Sequence, residues 1–324
     1  MATVIIHSAG LLTTVQDRGR YGYQRFGMPV SGAMDVFSLE LANLLVGNEP
    51  GDACLEATIS GPQLEFTGAT WIAITGADMD PHLNGQGIPM NTAVDVRPGD
   101  RLGFRGLRSG CRAYIAFAGG IAVPPVMGSR STYIRAGIGG FQGRALMPGD
   151  ELPLGEFDPL SPPGRLSTDY AKGKPRLKKI PEGLIPEYKH EQTIRIISGP
   201  EAHYFEIAGL RSFLSTEYTV TAQSDRMGYR LSGEPIRHKE GMTNIISAGI
   251  SLGTVQIPGD GQPIILMADR QTSGGYARIA NVITADLTLL SQMRPGEIIR
   301  FKETTFEIAQ QIYIYRQRVT LDPH

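Results

Sequence analysis

The residues best suited to chemistry sit where apolar strands run out into polar turns that carry glycine. The apolar run 264–268 is followed by Asp269, Arg270, Gln271 and Thr272, then by Gly274, Gly275 and Tyr276. A strand that aims a carboxylate, a guanidinium and an amide into a Gly-Gly loop suits a planar polar ligand, because glycine lets the backbone approach closely. The same residues also make an ordinary turn, with Asp269 capping nearby amides and Arg270 in solvent. Two clusters place acid beside base: Gln16-Asp17-Arg18-Gly19-Arg20-Tyr21-Gly22 and Ser224-Asp225-Arg226-Met227-Gly228-Tyr229-Arg230. Adjacent strand side chains point to opposite faces, so one member of each pair can meet a pocket while its neighbour meets solvent. For Arg18 and Asp225 structural ion pairs are the simpler reading. Asp35 and Asn43 have helix roles open to them, as N-cap and as a polar position two turns on, and become functional only if both meet one pocket. The glycine-dense segment 118–144 groups Ser129, Arg130, Ser131 and Thr132, which either bind an anion or belong to a loop sealing a barrel end.

The elements that must position these residues are mostly strands. Forty Gly and 22 Pro are spread between short β-branched and aliphatic runs, the punctuation of an all-β chain. Strands are expected at 3–7, 63–66, 71–75, 101–104, 112–117, 193–198, 264–267 and 298–301. Helices are few. One runs over 36–46, capped by Asp35 and closed by Gly47 and Asn48; a second follows Thr284; a third starts near Thr304, where Thr304-Thr305-Phe306-Glu307 has the spacing of a capping box. Between residues 148 and 192 the texture turns to proline and lysine, which predicts a connector that proteases cut first near 172–179.

Composition narrows the function. With 31 Lys+Arg against 32 Asp+Glu the net charge is -1, too weak a field to collect nucleic acid or anionic lipid. No apolar run is long enough for a membrane helix, and residues 1–12 lack a basic leader region, so a cytoplasmic protein is expected. Cys54 and Cys111 read as buried thiols. His7, His82, His190, His203, His238 and His324 have no metal-site spacing, and neither a phosphate-binding loop nor a dinucleotide fingerprint is present.

The halves echo each other. VQDRGRYG (15–22), WIAITGADMD (71–80) and RPGDRLGF (97–104) recur in order as AQSDRMGYRLSG (222–233), PIILMADRQT (263–272) and RPGEIIRF (294–301). Shared order, more than any single match, argues for duplicated barrels. An N-terminal domain over 1–185, its connector starting at about 148, and a C-terminal domain over 186–324 ending in a helix are expected.

These motifs resemble a known family. TTVQDRGRYGYQRFGMPVSGAMD (13–35), LANLLVGNEP (41–50), SDRMGYRLSG (224–233) and VQIPGDGQPIILMADRQTSGGY (255–276) are similar to the family of the 5-oxoprolinase C subunit and allophanate hydrolase subunit 2 homologues, which includes an antagonist of a sporulation-kinase inhibitor and part of the carboxyltransferase region of urea carboxylase. The urea carboxylase loop reads Asp-Gly-Pro-Ser where this chain has Asp269-Arg270-Gln271-Thr272, a departure that favours the free-standing 5-oxoprolinase type. The resemblance implies a mainly β fold of two cyclophilin-like β-barrels with a few short helices. It implies a hydrolase working with subunits A and B to cleave 5-oxoproline to L-glutamate with ATP, which is bound with or by those partners. The alternatives are the carboxyltransferase half of a biotin enzyme, whose biotinyl group would come from a partner because no Ala-Met-Lys-Met-like site is present, and a non-catalytic regulator that neutralises a histidine-kinase inhibitor.

Urea, the ureido ring of biotin and the lactam of 5-oxoproline each present N–H beside C=O. A carboxylate accepts from the N–H, and a guanidinium or amides stabilise charge on the oxygen. Asp269 and Arg226 are therefore the expected catalytic residues, and Asp35, Asn43, Gln271, Gly274, Gly275 and Tyr276 the expected substrate-binding ones. Asp269→Asn is expected to leave folding nearly unchanged.

Overall fold

The computed structural model describes residues 2–157 and 183–321; the run 172–179 and much of the expected connector lie outside the described residues. Two compact units result. Among the described residues, unit 1 holds 2–20, 31–157, 183–185 and 317–321, and unit 2 holds 21–30 and 186–316.

Unit 1 contains β1 (Thr3–Ser8), β2 (Leu12–Gln16), α1 (Val36–Leu45), β3 (Cys54–Thr58), β4 (Gln63–Phe66), β5 (Thr70–Asp78), β6 (Pro81–Leu83), β7 (Gln86–Gly87), β8 (Ala93–Val96), β9 (Arg101–Phe104), β10 (Ser109–Phe117) and β11 (Glu151–Pro153). They form a 6-stranded sheet, β11-β1-β4-β9-β6-β7, and a 5-stranded sheet, β2-β3-β10-β5-β8. Alternation along β10 explains the layering. Ala113, Ile115 and Phe117 join the core shared by the two sheets, with Ile6, Leu64, Phe66 and Ile72. Tyr114 and Ala116 point the other way and meet α1, together with Ala73 of β5 and Cys54 of β3. Small residues there let α1 lie close, and every α1 residue from Phe37 to Leu45 is buried. Asp35 caps α1 as expected, accepting from Ser38 N at 3.2 Å. Gly47 follows its end with φ +79°, a left-handed conformation that costs glycine nothing.

Unit 2 contains β12 (Glu191–Ser198), α2 (Ile207–Ser215), β13 (Glu217–Val220), β14 (Gly228–Ser232), β15 (Asn244–Gly249), β16 (Thr254–Ile257), β17 (Ile264–Leu266), β18 (Ser273–Val282), α3 (Leu287–Ser291) and β19 (Ile298–Glu303). The order β12-β19-β13-β14-β17-β16-β18 closes through a β12–β18 pairing into a barrel, and β15 hangs outside on β18. Phe213 of α2 packs on Phe301 at 4.5 Å between ring centroids and on Tyr218 at 6.2 Å.

The structure corrects three local expectations. Helix α2 was not anticipated; its N-cap is Glu206, which makes no side-chain capping bond and leaves no signature in the sequence. The last helix, α4 (Phe306–Leu321), is capped by Thr305, which accepts from Ile308 N at 3.3 Å, one residue later than the expected box at Thr304. Gly274 and Gly275 are not loop residues but the start of β18, where Gly274 pairs with Ala248.

Candidate functional site

Antiparallel pairing of β14 with β17 puts Gly228 opposite Leu266, so the residues just before β14 lie beside those just after β17. The ladder continues past both strands: Met267 N donates to Met227 O at 2.9 Å and Asp269 N to Arg226 O at 2.8 Å. The side chains then close a two-pronged ion pair, Arg226 Nε to Asp269 Oδ2 at 3.0 Å and Arg226 Nη2 to Asp269 Oδ1 at 3.2 Å. Each side chain is only 9% exposed. The two expected catalytic residues are thus brought together, and each is first of all the other's partner. An ionised carboxylate has about four lone-pair positions, so this pairing leaves Asp269 able to accept a further N–H. Asp225 is exposed and accepts from Met227 N at 2.8 Å, a turn that sets the direction of Arg226.

Beyond Asp269, Arg270 is half-buried; its Nε donates to Ile250 O and its Nη1 to Met267 O, both at 3.3 Å. Burial pulls this guanidinium below its usual range. Gln271 is exposed, with its amide nitrogen 2.8 Å from where a Cβ on Gly274 would stand; the buried Gln256 reaches the same point to 3.0 Å. Two amides therefore converge on a residue that has room only for hydrogen. Gly275 faces Ile245 O and Ser247, and Tyr276 is 42% exposed on β18.

Unit 1 holds Asp35 and Asn43 at opposite ends of α1, about 12 Å apart along its axis at 1.5 Å per residue. Asp35 is 1% exposed and also accepts from Ser38 Oγ at 2.6 Å; its backbone N–H donates to Tyr114 Oη at 2.8 Å. Asn43 is fully buried, donates to Asp52 O at 2.7 Å and accepts from Asn48 Nδ2 at 3.0 Å, tying down the loop after α1. Both are hydrogen-bonded inside unit 1.

Sequence reading missed the partners that complete these networks. Glu56 on β3, 2% exposed, accepts from Tyr114 Oη at 2.7 Å and Met34 N at 2.8 Å. Burial, with Glu56 and Asp35 beside it, pushes the Tyr114 phenol well above its usual range. The hydroxyl group of segment 118–144 meets an anion that belongs to the protein: Asp17 accepts from Ser129 Oγ at 2.7 Å, Arg130 N at 2.5 Å, Gly19 N at 2.7 Å and Ser131 Oγ. Arg18 pairs with Glu40 at 2.6 Å, the structural role expected of it. Only the alternation on β10 hinted at Tyr114; nothing local marked Asp17 as the acceptor. A cavity of about 390 Å³ on the 6-stranded sheet, lined by His7, His82, Arg101 and Arg105 among others, contains none of the expected site residues. Cys54 and Cys111 are buried and not joined in a disulfide. Among the described residues no cluster of His, Cys, Asp and Glu is placed to hold a metal ion, and no helix is long and apolar enough to cross a membrane.

Against known proteins, residues 26–303 match the family described as carboxyltransferase domain, subdomain A and B. The chain is 39% identical to the C subunit of 5-oxoprolinase from Escherichia coli (strain K12) over 310 residues, which is 96% of this chain and 94% of that protein. It is 36% identical to urea amidolyase of Lachancea kluyveri over 95% of this chain but 17% of that one. Among solved structures, Kluyveromyces lactis urea carboxylase superposes with a TM-score of 0.89 at 32% identity, over 98% of this chain and 29% of the longer one. The structure of TTHA0988 gives a TM-score of 0.80 at 33% identity over 93% of this chain and 55% of that one.

Proposed function

The chain belongs to the carboxyltransferase-domain family, subdomain A and B, and from that membership we propose that it is the C subunit of an ATP-dependent 5-oxoprolinase. Matched extent carries the reading. The alignment takes up 94% of the Escherichia coli protein, against 17% of the Lachancea kluyveri urea amidolyase. The complex, completed by subunits A and B, would open the lactam of 5-oxoproline to L-glutamate.

In this reading the lactam offers its N–H and C=O in one plane to the polar end of β17. Asp269 accepts the N–H through lone pairs that Arg226 does not use, and Arg226 fixes the direction of that carboxylate. The Gln271 amide is the donor for the carbonyl oxygen, and Tyr276 supplies an exposed ring beside it. Asp35 and Asn43 have their part within unit 1, where they hold α1 and its following loop. ATP is assigned to the partner subunits: the glycine-rich segment around Ser129–Ser131 directs its hydroxyl and amide donors to Asp17, and does not fit a phosphate. No step through ATP is assigned to this chain.

Reconstitution with subunits A and B, assayed for ATP-dependent glutamate release, tests the assignment. Turnover is expected only from the full set; release by this chain alone, or none from the full set, overturns it. A second reading, carboxyl transfer between biotin and urea, is favoured by the TM-score of 0.89 to urea carboxylase. Carboxylation of urea by the chain with a biotinyl partner would decide for it.

A further inference from the structure

Arg195, Arg226, Arg278 and Arg294 are buried or half-buried in unit 2, and each faces a carboxylate: Asp286 at 2.5 Å, Asp269 at 3.0 Å, Glu201 at 2.6 Å and Glu297 at 2.6 Å. Arg270 is the contrast. Its partners are two backbone carbonyls, and no carboxylate lies within ion-pair distance of it among the described residues. Carbonyls orient a guanidinium but do not neutralise it, and a cation drawn out of water without a counter-charge is costly. Asp269, the acid next to it in sequence, is turned to Arg226 and leaves the Arg270 charge standing. Tyr21 of unit 2 is the titratable group that acts on Arg270.

The packing beside Arg270 holds the guanidinium still. Ile250 holds the Arg270 guanidinium through its carbonyl, while its Cδ1 lies 2.5 Å from where a Gly274 Cβ would be, the point on which Gln271 and Gln256 converge. A guanidinium that carbonyls hold in place, with no carboxylate beside it among the described residues, fits a compact ligand that brings a carboxylate of its own. We propose that Arg270 is the specificity residue of this site, binding the carboxylate of the lactam substrate while the ring amide meets Asp269. The proposal rests on the 5-oxoprolinase reading. It predicts that the site distinguishes 5-oxoproline from 2-pyrrolidinone, the same ring without the carboxylate, through Arg270.

The test uses the reconstituted complex with wild-type, Arg270→Gln and Arg270→Lys chains, measuring KM for 5-oxoproline and the inhibition constant of 2-pyrrolidinone. Arg270→Gln is expected to raise KM at least 10-fold, with Arg270→Lys between it and wild type and the 2-pyrrolidinone constant within 2-fold throughout. An unchanged KM, or KM and inhibition constant rising together, overturns the proposal, the second outcome marking a merely structural arginine. If the wild-type complex releases no glutamate, the 5-oxoprolinase reading itself has failed. Arg270 is then decided by melting the isolated chain with 5-oxoproline or 2-pyrrolidinone: stabilisation by the first alone, lost in Arg270→Gln, retains the carboxylate site, and no such difference removes it.

Discussion

Asp269 and Arg226 are 43 residues apart in sequence and meet as a buried two-pronged ion pair, each carboxylate oxygen taking one guanidinium N–H. That geometry reverses the expectation that Asp269→Asn leaves folding unchanged. An amide there keeps the volume but removes the negative charge from a buried ion pair, at a cost of about 3–5 kcal/mol. Chemical denaturation of Asp269→Asn and Arg226→Gln should show losses of that order, and the double variant should lose less than their sum. Additive losses would mean that the two side chains do not form one unit. Turnover must accordingly be compared at a temperature where each variant is folded.

Asp17 gathers donors from a segment more than 110 residues away, with Ser129 and Ser131 both bonded to its Oδ1. Asp17→Ala should orphan several buried donors at about 1–3 kcal/mol each, whereas Ser129→Ala removes one donor and should cost about 1 kcal/mol. Urea denaturation of unit 1, followed through its one tryptophan, Trp71, measures both. Equal effects of the two variants would contradict the assignment of Asp17 as the hub.

Acid should weaken unit 2 through Glu201. Its hydrogen bonds from Arg278 hold its carboxyl below the ordinary 4.5. Because the folded value is depressed, the stabilisation is fully present above about pH 4.5 and is lost as pH falls through the lower folded value. Melting temperature against pH should therefore drop less steeply below pH 4.5 in Arg278→Gln than in wild type. Parallel curves would exclude the pair as a source of acid sensitivity.

The repeated Arg-Pro-Gly-acid turns make a matched test of the internal echo. Asp100 accepts from Arg97 N at 2.8 Å and Glu297 from Arg294 N at 2.9 Å, with Gly99 at φ +86° and Gly296 at φ +91°. Gly99→Ala and Gly296→Ala should each cost about 1 kcal/mol or more, because alanine is strained at positive φ. Thermal melts showing loss at only one of the two would argue that the turns are not equivalent.

What the sequence determined by itself was the chemistry that closes within a few residues. Pro-Gly followed by an acid fixes a turn because proline sets φ, glycine takes the positive φ, and the acid reaches back three residues to an N–H. Asp35 caps α1 for the same local reason, and β4 and β9 have the bounds expected of them, since apolar alternation and turn residues lie inside the run. The mainly β fold and the ordered echo followed from repeating such signals. Tertiary structure decided everything that depends on a distant partner. Whether Arg226 faces a ligand, solvent or Asp269 is set by the β14–β17 register, and whether Ser129 and Ser131 bind a foreign anion is set by the arrival of Asp17, 112 and 114 residues away. Gly274 reads as a loop residue until β15 pairs with it, and Arg270 reads equally as a ligand contact or a solvated side chain until the Ile250 carbonyl turns it inward. A residue type states what bonds it can make; only the folded chain determines which of them are left for a substrate.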